Sequence, residues 1–126
     1  GKAKLYDLIE VMARICLIRV VKRKGMETKT HLKGAKLFLY DPSTYHALNG
    51  SVANVREAFA ACALEEAGRK IFASDDERAY DFWVDGVTIE VGGKGKSRKK
   101  ADVVVRDGLD VPLPGVIPLW LLGMAY

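Results

Sequence analysis

Cysteine is scarce in this 126-residue chain, with two residues, Cys16 and Cys62, and so few exclude a disulfide framework or a cysteine-built metal site. Each lies among apolar neighbours in a helical pattern, so both are expected as reduced core thiols, and a cytoplasmic setting follows. Long apolar runs are missing too. No stretch reaches the ~18 residues of a membrane span, and no basic, apolar, small-residue succession marks a signal peptide. Charge of one sign is not in large excess: a net +4 permits an anionic partner without demanding one. The chain is 49% hydrophobic, which argues against disorder and supports one compact core. Gly1 reads as a cloning remnant, which suggests a piece cut from something longer.

The strongest local signal is the run Asp81-Phe82-Trp83-Val84-Asp85-Gly86-Val87-Thr88-Ile89-Glu90-Val91. An Asp-Gly pair between alternating hydrophobics predicts a two-residue hairpin turn, and such a turn fixes the register. Val84 is then expected opposite Val87, Trp83 opposite Thr88, Phe82 opposite Ile89, and Asp81 opposite Glu90. Phe82, Val84, Val87, Ile89 and Val91 form an apolar face, while Asp81, Trp83, Thr88 and Glu90 share the other. Like charges placed opposite each other on a sheet repel, so the two carboxylates call for a metal ion, a lysine or a shared proton. Trp83, beside them, could stack on a base or cover the sheet.

Elsewhere, Leu5, Leu8, Ile9, Met12, Ile15 and Cys16 recur at helical spacing, and strands are expected at 17–23 and 36–40 around a polar connection. Residues 41–50 read as a short helix. A longer one is expected over 54–67, with Asn54-Val55-Arg56-Glu57 as a capping box and Gly68 at its end. It is apolar nearly all round, as a helix buried on two sides would be. Glu57 has two readings, a capping side chain or a site residue. Further strands are expected at 69–73 and 101–105, and an apolar tail from Val116 to Tyr126.

Between Val91 and Ala101 the chain is glycine-rich and basic, with Lys94, Lys96, Arg98, Lys99 and Lys100 within seven positions. Gly95-Lys96-Ser97 looks like the end of a Walker A loop, but Glu90 occupies the place of that motif's first glycine and would repel phosphate. What remains is a phosphate-tracking nucleic-acid contact or a solvated loop.

The ordered set Lys36-Leu37-Phe38-Leu39-Tyr40-Asp41, His46-Ala47-Leu48-Asn49-Gly50, Asn54-Val55-Arg56-Glu57, Asp81-Phe82-Trp83-Val84, Ile89-Glu90-Val91 and Ile117-Pro118-Leu119-Trp120-Leu121-Leu122-Gly123 resembles the C-terminal domain of unknown function of prokaryotic AAA+ ATPases. The resemblance covers nearly the whole chain. It implies an α/β fold: a restriction-endonuclease-like mixed sheet of the PD-(D/E)xK type, flanked by helices. Residues 1–39 would be the helix and β-hairpin that end a winged-helix-like linker, and residues 40–126 the nuclease-like domain. It further implies Glu57, Asp81 and Glu90 as ligands of Mg²⁺, which in active relatives polarises a phosphodiester. The strand lysine expected two residues after Glu90 is replaced by Gly92, so Lys94 or Lys96 would have to fold back as the catalytic cation. ATP would be bound only by an ATPase module outside this chain. Partners implied are that module, DNA through Lys94, Lys96, Arg98, Lys99 and Lys100, and a second copy, with no membrane. Three functions follow: a weak or inactive DNA-binding or regulatory domain, an active Mg²⁺-dependent nuclease, and a protein-interaction platform.

Overall fold

The structure, a computed structural model, describes residues 1–26 and 32–125. Part of the polar connection expected between the first two strands, and Tyr126 of the apolar tail, lie outside the described residues.

Helix α1 (Lys2–Arg14) is followed by β1 (Ile18–Val21) and β2 (Lys36–Leu39), which pair antiparallel with Ile18 opposite Leu39. α1 closes with Cys16 in the left-handed region at φ 61° and with the Leu17 N–H bonded to the Met12 carbonyl. That conformation turns Cys16 out of the helix. Cys16 is exposed and Cys62 half-buried, so the expectation of two core thiols is corrected at Cys16: the thiol sits on the turn that ends the helix, not on its apolar face.

Next come α2 (Thr44–Ala47), α3 (Val52–Glu66), and a sheet of β3 (Ile71–Ala73), β4 (Phe82–Val84), β5 (Val87–Gly92), β6 (Val103–Arg106) and β7 (Val116–Pro118), closed by α4 (Leu119–Leu122). Strand order in this sheet follows chain order. β3, β4 and β5 are antiparallel neighbours, whereas β5, β6 and β7 run parallel. The molecule is therefore a mixed α/β fold: a five-stranded mixed sheet flanked by helices, plus a two-stranded hairpin. The hairpin is tied to the sheet edge, since the Lys24 N–H donates to the Ala73 carbonyl and the Ala73 N–H to the Lys22 carbonyl.

α3 covers one face of the sheet. Its Ala58, Ala60 and Ala61 are buried and small, so the helix lies close over Phe82, Val84, Ile89, Val91 and Val105. Val21 and Phe38 of the hairpin join this same core. The cap differs from expectation: Ser51, in extended conformation, accepts a hydrogen bond from the Asn54 N–H, and the helix starts at Val52. Glu57 is thereby freed from capping. At the other end Gly68, at φ 77°, stands in the expected position, and the Arg69 N–H bonds to the Leu64 carbonyl.

Candidate functional site: a carboxylate cluster closed by lysines

The Asp-Gly hairpin forms as its residues dictate. Asp85 and Gly86 both have positive φ, the signature of a type I′ turn, and Phe82, Trp83 and Val84 face Ile89, Thr88 and Val87. The ladder stops there. Asp81 does not pair with Glu90 as expected; its N–H donates to the Ile89 carbonyl, and its Oδ2 accepts the Val91 N–H at 2.8 Å. This slip of one position at the strand start turns the Asp81 carboxylate toward α3.

There it meets a cation from the hairpin. Lys36 Nζ lies 2.6 Å from Glu57 Oε1 and 3.2 Å from Asp81 Oδ1, with its ammonium also 5.1 Å from the centre of the Phe82 ring. All three side chains are largely buried. Burial alone would lower the Lys36 pKa, but Asp81 and Glu57 outweigh it and hold the ammonium above its ordinary value. For Glu57 the balance runs the other way: burial raises the carboxyl, Lys36 draws it only part of the way back, and the net displacement is upward.

Glu90 is fully buried, at 0% exposure. It alternates with Val91 and so shares a face with Gly92. Lys96 Nζ stands 3.0 Å and Lys99 Nζ 2.8 Å from its Oε1. Both are at ion-pair distance, yet neither makes a well-angled hydrogen bond, and Oε2 has no partner among the described residues. The approach to Glu90 raises the Lys99 ammonium. Lys99 itself sits at φ 52°, a conformation costly for a side-chain-bearing residue, and it aims the side chain inward.

The space of the absent strand lysine is filled. A Cβ on Gly92 would collide with Cβ, Cγ and Cδ of Lys96, so the stem of Lys96 runs where a side chain of residue 92 would stand. The loop lysine thus returns a cation to Glu90, and it can do so because residue 92 is glycine. Lys94, the other candidate, is exposed with its Cβ beside Gly108. Arg98 lies over Gly115, and Lys100 is exposed. Of the five loop cations, Lys96 and Lys99 turn to Glu90, and Lys94, Arg98 and Lys100 are exposed. Trp83 is half-buried, packed on Phe72 at 5.6 Å and covered by Lys24 at 4.4 Å.

Lys36 was not legible as a site residue, since nothing around it but the start of a strand distinguishes it. Arg56, also missed, lines a cleft of about 390 Å³ with Glu57, Asp81, Gly93 and Lys96. Lys36 stands between Glu57 and Asp81, lysines hold Glu90, and among the described residues no three His, Cys, Asp or Glu are grouped as a metal site would group them.

What the geometry defines is a mixed α/β domain in which Lys36 joins the Glu57 and Asp81 carboxylates and Lys96 and Lys99 hold the buried Glu90. No family model, curated protein or solved structure matches this chain. No helix among the described residues is long and apolar enough to cross a membrane.

Proposed function

We propose that this chain is the C-terminal region of an AAA+ ATP-binding protein, with residues 1–39 ending a winged-helix-like linker and residues 40–126 forming a restriction-endonuclease-like domain. Its role is that of a DNA-binding or regulatory module that cleaves weakly or not at all. One observation carries the reading: Glu57 and Asp81 meet across Lys36, while Glu90 on the adjacent strand is held by Lys96 and Lys99. An acid cluster on a strand hairpin and helix is the arrangement a nuclease would use, but lysines here neutralise it. A Mg²⁺ ion would first have to displace Lys36 from between two carboxylates. Binding through backbone phosphates needs no such displacement, and Lys94, Arg98 and Lys100 are exposed for it.

The test is fluorescence anisotropy with labelled DNA across a salt series, alongside incubation of plasmid DNA with Mg²⁺ or Mn²⁺. Binding that weakens steeply with salt, by about three log units per tenfold rise in salt if about three phosphates are neutralised, and an intact plasmid, is the expected result. Metal-dependent cutting that Asp81→Ala removes would replace this reading with the active nuclease. Absence of binding at low salt would favour a protein-interaction platform.

A further inference from the structure

Arg56 stands between two hollows. One is the carboxylate cleft; the other, of about 480 Å³, opens between α2, α3 and α4 and is walled by Pro42, His46, Val55, Phe59 and Trp120. Trp120 is 53% exposed, and its indole N–H donates to the Leu109 carbonyl at 3.1 Å. Arg56 donates from its Nε to Asp107 Oδ2 at 2.9 Å. Its guanidinium lies so close over Gly93 that a Cβ there would be 3.0 Å from Nη1. The basic loop therefore begins at the rim of the Trp120 hollow, and Lys94 continues along it beside Gly108.

A half-open indole is an apolar plane, and the guanidinium at its rim presents N–H donors beyond the Nε held by Asp107. Planar aromatic surface beside a backbone-tracking cationic path is how single strands are held without sequence preference, because every base has a π-face. Asp107 offsets the charge of Arg56, and Glu57 and Asp81 share Lys36, so the attraction for a phosphate rests on Lys94 and on the guanidinium's remaining N–H donors. We propose that the Trp120 hollow stacks a base of single-stranded nucleic acid, whose backbone passes Arg56 onto the loop at Lys94. This rests on the nucleic-acid reading above and names the strand form that it takes.

The chain has two tryptophans, so Trp83→Phe leaves Trp120 as the sole indole emitter. Titration of that variant with oligothymidylate of about 12 nucleotides should quench its emission saturably at low salt. In the otherwise native chain, Trp120→Ala should weaken oligothymidylate binding ~10-fold, or about 1.4 kcal/mol, while duplex binding changes by less than about two-fold. Unchanged Trp120 emission with the oligonucleotide bound, or equal loss for duplex and single strand, would overturn the inference. The emission readout stands even if Trp120→Ala does not fold. Duplex binding with a silent Trp120 overturns this inference alone, whereas no binding of either nucleic acid removes the DNA-binding reading with it.

Discussion

Lys36 lies 21 residues before Glu57 and 45 before Asp81, and no periodicity or turn rule encodes contacts of that range. Strand alternation and a two-residue turn are local, so the hairpin register was legible as far as Phe82 and Ile89, but the turn of Asp81 away from Glu90 toward Lys36 was not. The acids' need for a cation could be argued from the sequence, but the one that serves Asp81 and Glu57 arrives through packing of the hairpin. Replacing it with an apolar side chain, Lys36→Met, leaves two largely buried carboxylates facing each other without a cation. Breaking a fully buried pair costs about 3–5 kcal/mol, and these groups keep some exposure, so about 2–3 kcal/mol is expected. The pH dependence has a definite sign. Without Lys36 the burial that raises the Glu57 carboxyl acts unopposed, so the native state holds a proton that the unfolded state has released, and stability falls as pH rises through that raised value. In the native protein Glu57 already carries such a raised pKa, whereas Lys36, itself raised, contributes stability that persists below its ordinary value of about 10.4 and is lost only above it. Urea denaturation at pH 5 and pH 8 should therefore show a larger deficit for Lys36→Met at pH 8. A deficit that grew toward pH 5 would contradict the pairing.

The Asp-Gly hairpin is the element the sequence specifies best, since turn chemistry and alternating burial agree on one register. The start of α3 was less legible because two side chains compete for it. Ser51 and Asn54 are both capable caps, and the choice of Ser51 lengthens the helix and releases Glu57 to Lys36. The glycine-rich loop was legible in composition and not in path. Whether Lys96 returns to Glu90 depends on the empty face of Gly92, a relation between two side chains that spacing does not reveal. It yields a cycle of variants. Gly92→Lys should displace the Lys96 stem and destabilise by about 1–3 kcal/mol through crowding. Lys96→Gly should also destabilise, since buried Glu90 keeps Lys99 alone. Combined, the two changes restore one cation on the strand in place of the loop, and the double variant should be more stable than the sum of the single effects predicts by at least about 1 kcal/mol. Additive losses in thermal or urea melts would mean that Lys96 and residue 92 do not share one space.

At the scale of the whole molecule, stability is distributed unevenly between the two ends of the chain. The described part of the apolar tail packs in two ways. β7 extends the sheet in parallel with β6, Val104 opposite Val116 and Val105 opposite Ile117, while α4 buries Leu119 and Leu122 and packs against α3. Its parallel placement beside β6 was not legible, because a three-residue strand carries no signal for direction or partner. α1 has the opposite character: it is a regular amphipathic helix with no buried residue, and Leu5, Leu8, Val11 and Ile15 are exposed. Deletion after Pro114 removes a strand and two buried leucines, each worth about 1.5–3 kcal/mol, and uncovers Val105 and part of α3. Against a net stability of about 5–15 kcal/mol for a domain, that loss exhausts most of what holds the fold together. The shortened chain should be insoluble or melt without cooperativity. Removal of residues 1–14 exposes far less and should leave a cooperative transition by circular dichroism, with a midpoint lowered by only a few degrees, about 4–8 °C for each kcal/mol lost. If instead the C-terminal truncation melted cooperatively and the N-terminal one did not, the core would have to be centred on the hairpin side of β3, and α4 would be an appendage.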